Sequence, residues 1–232
     1  GQQTTGSKDP FAWRRASIAV LRRLIETKGV EEKNLALDLR ELLTFAKNQH
    51  NNLTVGDELV EQVLSYMLDR FRAFYEDANI PAEVFQAVTA KQLSQPLDIN
   101  QRVLAVNEFS KLPQAQALAA ANKRVSNILS KQNASSNAVI HSDLLKEEAE
   151  INLARAISAK AELVTPLFDK REYTKALAAL ADLQQPVDAF FDSVMVMCED
   201  AALQQNRLAL LQQLRGLFLE VADISYLVPA KN

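Results

Sequence analysis

The chain has 232 residues, 48% hydrophobic and 24% charged, with 5 glycines and 1 cysteine. That composition excludes a disordered, collagen-like or membrane-embedded chain, and a single Cys198 excludes a disulfide scaffold or a cysteine zinc ribbon. A formal net charge of -3 gives no global footprint for nucleic acid, although the charge is segregated. Lys8, Arg14, Arg15, Arg22, Arg23 and Lys28 face only Asp9 and Glu26 near the start, residues 111–131 carry Lys111, Lys123, Arg124 and Lys131 without an acid, and acids gather at 147–150 and 182–200.

Abundant Ala and Leu with little Gly point to helix, and the elements follow in chain order. Asp9 as N-cap, Pro10 at the first helical position and Gly29 just past the end bracket a first helix with Phe11, Ile18, Leu21, Leu24 and Ile25 on one face. A second is expected over about 31–49 on Leu35, Leu39, Leu42 and Leu43. A third follows Val60, Val63, Leu64, Met67, Leu68, Phe71 and Phe74 until Pro81. A short helix over 81–90, one capped by Asp98 and running to Lys111, and one opened by Pro113 and running to Lys131 come next. After the polar stretch KQNASSNAVIHS, helices are expected over about 143–166, 172–183, 187–197 and 200–227. No strand alternation of useful length is found, so the expected fold class is all-α: two helical bundles, divided near residue 112.

The chemistry-bearing residues are few. GQQTTGSK has Ser7 before Lys8 where a phosphate-cradling loop needs the reverse order, and no strand precedes it. His50 and His141 lie about ninety residues apart without a ligand at metal spacing. Asp188 and Asp192 read as a solvated helix face, and Cys198 in VMVMC as a small buried hydrophobe. No catalytic residue and no metal site are expected. Two basic helix faces remain, Arg15 with Arg22 and Arg23, and Lys123, Arg124 and Lys131 beside Asn127; such donors suit phosphate contacts, or equally a solvated surface.

Three stretches carry a resemblance: TGSKDPFAWRRASIAVLRRLIE at 5–26, ALAAANKRVSNIL at 117–129 and DAFFDSVMVMCEDAALQQNRLALLQQLRGLFLEVADISYL at 188–227. With FRAFYEDANIPAEVFQAV and RVLAVNEF between them, they resemble the C-terminal third of the bacterial glycyl-tRNA synthetase β subunit, over nearly the whole chain. The resemblance implies a helical region trailing an HD-like domain over 1–112 and an anticodon-binding helical bundle of the DALR type, also seen in arginyl-tRNA synthetases, over 113–232. It implies tRNA recognition for a ligase whose separate α subunit, in an α/β heterotetramer, attaches glycine to glycine tRNA with ATP and Mg; the lone cysteine and the lack of 18 consecutive apolar residues independently point to the cytoplasm, without a membrane. No cofactor and no catalytic site are then expected in this chain; the HD-like His-Asp pair is not visible.

The DALR marks fall on Ala121 to Ile128 and Leu203 to Leu211. Where the family usually reads Leu-Arg-x-Asn-Arg-Leu, this chain has Leu203, Gln204, Gln205, Asn206, Arg207, Leu208, so Gln204 stands where an arginine is expected. The expected RNA contacts are Lys123, Arg124, Asn127, Arg207 and Arg215, with Gln204 offering a hydrogen bond in place of a charge. Asn206 is a structural candidate, and an ion pair that locks the bundle is the alternative for Arg124 and Arg207. Glycine anticodons end in two cytosines, whose N4 donors suit Glu199, Asp200 or Gln205; the sequence does not choose among these. The competing function is a helical interaction module, centred on residues 11–93, that docks the α subunit or other β domains.

Overall fold

The computed structural model describes residues 12–26, 37–49, 56, 58–132 and 139–228. Among them every regular element is helical: α1 (Trp13–Glu26), α2 (Leu39–Gln49), α3 (Glu58–Asp77), α4 (Ala82–Thr89), α5 (Pro96–Ser110), α6 (Ala115–Lys131), α7 (Glu148–Asp169), α8 (Tyr173–Leu180), α9 (Gln184–Ser193) and α10 (Ala201–Leu219), with 3-10 turns at Ser142–Leu144, Ala181–Leu183 and Ile224–Leu227. The all-α expectation holds for these residues.

Asp9, Pro10 and Gly29 lie outside the described residues, as does the GQQTTGSK lead. In the first region α1 and α2 both pack on α3, and α3 leads through α4 to α5. Apolar residues of α3 at helical spacing meet α4 in an aromatic cluster: the Phe71 and Tyr75 rings lie 4.8 Å apart, and Tyr75 and Phe85 5.6 Å. Burial pushes the Tyr75 phenol well above its ordinary pKa, and its hydroxyl donates to Asn100 Oδ1 at 2.9 Å on α5.

In the second region α10 is the central rod. Leu208, Ala209, Leu210, Leu211, Leu214 and Phe218 are buried around it, and α6 and α7 pack against it. The buried run from Asn206 to Leu211 covers more than one side of the helix, as expected for a helix inside a bundle. One continuous set of packed buried residues runs from Leu21 to Ile224, crossing residue 112 without a gap. Tyr173 of α8 donates to Asp98 of α5 at 2.6 Å, Arg102 donates to Asp98 at 2.7 Å and to the Val221 carbonyl at 2.8 Å, and Asp223 N–H donates to the Ala87 carbonyl at 2.9 Å.

Several boundaries differ from the expected ones for physical reasons. α2 starts at Leu39 because Asp38 caps it, accepting from Arg40 N at 2.8 Å and Glu41 N at 3.3 Å; Leu35 lies outside the described residues. Asp98 is not a cap: α5 begins with Pro96, and Asp98 is turned into the network with Arg102 and Tyr173. α6 begins at Ala115, two residues beyond Pro113, and the start expected at Asp143 is a 3-10 turn, with α7 itself opening at Glu148. α7 continues through Pro166, whose missing N–H forfeits one ladder bond while Leu167 and Phe168 still pack on the core. α9 stops at Ser193, and α10 stops at Leu219 before a separate turn over 224–227. Asp200 does cap α10, accepting from Ala202 N at 2.9 Å and Leu203 N at 3.1 Å.

Candidate nucleic-acid interface

α6 divides its surface sharply. Leu118, Ala119, Ala121, Asn122 and Val125 are buried, while Lys123, Arg124 and Asn127 are exposed on the other side. The Arg124 guanidinium lies 4.3 Å from the centroid of the Phe191 ring, which α9 supplies. A guanidinium over an aromatic face keeps its charge and its donors available at the rim, so the pair offers both a cation for phosphate and a flat surface for a base. Lys131 is exposed in the last turn of the same helix.

α10 places its cations differently. Arg207 is buried; its Nε donates to Glu150 Oε1 and its NH1 to the Met195 carbonyl at 2.8 Å. Glu150, with no exposed surface, also accepts from Lys146 N at 2.8 Å and Glu147 N at 2.9 Å, closing the start of α7. Burial alone would raise the Glu150 carboxyl, but the hydrogen bonds from Arg207 and the two amides hold it below the usual carboxylate range. Arg215 makes a two-pronged pair with Asp223, at 2.6 and 3.2 Å, and Asp223 in turn accepts from Ser225. Burial raises Asp223 less than Arg215 and Ser225 lower it, so it too sits below its ordinary value.

The six expected RNA contacts therefore separate. Lys123, Arg124 and Asn127 share one exposed face. Gln204 is half-buried and donates from Nε2 to Met197 Sδ at 3.4 Å, while Arg207 is enclosed and Arg215 is bound to Asp223. For Arg207 the observed geometry is the bundle-locking ion pair that the sequence left as its alternative, with Glu150 as partner. Asn206 is structural: it accepts from His141 N at 2.7 Å and donates to the His141 carbonyl at 3.0 Å. On α1, Arg22 lies 5.4 Å from the Phe74 ring centroid.

Sequence reasoning missed the segment after α9. Val194 and Val196 are buried whereas Met195 and Met197 are exposed, an alternation of period 2 that VMVM spells out inside a stretch read as helix. Cys198, expected to be buried, is half-exposed and its thiol donates to the Asp200 carbonyl at 3.4 Å. Asp188 and Asp192 are exposed on α9. Among the described residues no group of three or more His, Cys, Asp or Glu is placed to hold a metal ion, and no helix is long and apolar enough to cross a membrane.

Residues 118–224, which hold α10 and all but the first three residues of α6, match the family model of the DALR anticodon binding domain, and residues 1–90 match that of the glycyl-tRNA synthetase beta subunit. The glycine–tRNA ligase beta subunit of Chromohalobacter salexigens is 52% identical over 98% of this chain. Those of Hahella chejuensis and Coxiella burnetii are 51% and 49% identical over 97% and 96% of it. The chain belongs to the glycyl-tRNA synthetase beta subunit family. It spans about a third of the length of these relatives, 32% of each. Within the glycyl-tRNA synthetase beta subunit family, the exposed α6 face thus falls inside the segment that matches an anticodon-binding domain, and the buried ion pairs of α10 form its frame.

Proposed function

We propose that this chain recognises the anticodon region of glycine tRNA on behalf of a glycine–tRNA ligase, and that residues 113–232 are the unit that does so. The observation that carries the reading is the exposed Arg124 guanidinium stacked on Phe191, with Lys123 and Asn127 beside it, within the anticodon-binding match. A single-stranded loop offers unstacked bases and phosphates, which suit such a mixed cationic and aromatic surface. The ligase chemistry, with its ATP and Mg, belongs in this proposal to a separate α subunit in an α/β heterotetramer, in the cytoplasm, and this chain holds no cofactor.

A second reading draws on α2, where Leu42 and Phe45 are exposed, Phe45 at 64%. An outward apolar pair on one helix suits docking against another part of the enzyme. Titration of the chain with a glycine tRNA transcript at low and physiological salt tests the first reading. Tight binding that weakens with salt and weakens further when both anticodon cytosines are changed is the expected result. Equal binding to both transcripts reduces the interface to electrostatics, and no binding moves the function to docking.

A further inference from the structure

We propose that the segment Val194–Glu199 reads an unstacked cytosine of single-stranded RNA, with Met195 and Met197 against the face of the base and Glu199 accepting a hydrogen bond from its N4 amino group. The inference rests on the anticodon reading above and names the part of the surface that discriminates.

Met195 is 72% exposed and Met197 44%, in a chain whose other methionine, Met67, is buried in the core. The segment is nevertheless held. Val194 N–H donates to the Phe190 carbonyl at 2.9 Å, Arg207 donates from inside the bundle to the Met195 carbonyl at 2.8 Å, and Gln204 donates to Met197 Sδ at 3.4 Å. Val194 and Val196 turn inward and Cys198 is half-buried, so that Met195, Met197 and Glu199 are left as alternate residues on the solvent side. Two polarizable thioethers on a fixed backbone make an adaptable apolar surface, and one exposed in this way marks a contact. Phe191, which carries Arg124, precedes Met195 by four residues, within about 14 Å of chain. Apolar side chains, aromatic ring and cation are thus brought close together along the chain, and a nucleotide has a part for each.

The structure also chooses among the three acceptors. Asp200 accepts from the Ala202 and Leu203 amides through Oδ1 as the cap of α10, which ties its carboxylate to the start of that helix. Gln205 is exposed on the first turns of that helix, and its amide both donates and accepts, so it does not separate cytosine from uracil. Glu199 is exposed, two residues beyond Met197, and an ionised carboxylate only accepts. It matches the N4–H donor of cytosine and repels the O4 acceptor of uracil.

The test uses the full chain and fluorescence anisotropy with the glycine tRNA anticodon stem-loop, alongside stem-loops carrying a single cytosine-to-uracil change at either of the last two anticodon positions. The expected result is a preference for cytosine of roughly tenfold at one of the two positions. Glu199→Gln abolishes that preference with the salt slope unchanged, and Met195→Ser with Met197→Ser weakens binding to every stem-loop several-fold. Glu199 is exposed, so its replacement leaves the melting temperature as it was. Full retention of the cytosine preference by Glu199→Gln overturns the proposal. If Lys123→Ala with Arg124→Ala still lowers affinity in that case, the RNA interface stands without this segment; if the unsubstituted chain binds no stem-loop, the anticodon reading fails as well.

Discussion

α6 and α10 are both long, carry cations and contain no acid, yet α6 turns Lys123 and Arg124 to solvent while α10 turns Arg207 and Arg215 inward. The difference is position. α10 is the central rod and its arginines meet carboxylates brought by other elements, Glu150 from 57 residues away and Asp223 from beyond its own end. α6 buries one alanine-rich side and leaves the other to solvent. An acid-free basic helix thus says that its acids are not local, and leaves open whether a ligand or a distant element supplies them.

The comparison breaks first at Glu150. Replacing it by Ala leaves Arg207 buried without a counter-charge and should cost about 3–5 kcal/mol in chemical unfolding, or leave the chain unfolded. Tyr173→Phe removes one donor from the buried Asp98 carboxylate, and a loss of about 1.5–3 kcal/mol is expected from the same measurement. Arg207 and Arg215 also give α10 an acid limit. Glu150 and Asp223 both have lowered native values, so the unfolded chain binds more protons than the folded one as the pH drops, and stability rises with pH over that window. Urea midpoints should be level above about pH 5 and fall as the pH descends through the unfolded carboxylate range, near 4, toward the native values. Asp223→Asn should flatten part of that fall. The smallest effect on stability is expected at α6: Lys123→Ala with Arg124→Ala shifts unfolding by about 1 kcal/mol or less, the size of an exposed cation–aromatic contact. The same pair should lower tRNA affinity and reduce the salt slope by about 1–2. An unaltered slope would place both residues outside the interface.

Much of the helical plan was legible because buried residues recur at helical spacing and because Asp200, Pro81 and Pro96 punctuate it. Helix ends were harder. With so few glycines, α3, α4 and α7 are followed by Asn79, Gln92 and Arg171 at φ 59, 56 and 56, left-handed positions where a glycine would have announced the stop. The run after α9 was misread because a period of 2 over four residues is short enough to pass for a helix face. At the candidate site, exposure of Lys123, Arg124 and Asn127 followed from the alanine-rich side opposite them. The burial of Arg207 did not, since its partner is set by the packing of α7 on α10 rather than by any local spacing.

The far end of α10 is grasped from the first region: Lys91 donates to the Leu219 carbonyl, and Arg102 to those of Glu220 and Val221. These carbonyls have no helical partner of their own, and the groups that satisfy them come from more than a hundred residues earlier. During synthesis α4 and α5 leave the ribosome long before 219–221 exist. Their contacts to 219–221 must wait, with Arg102 meanwhile able to hold only its α5 neighbour Asp98, and the closing of this clasp is a late, high-contact-order event.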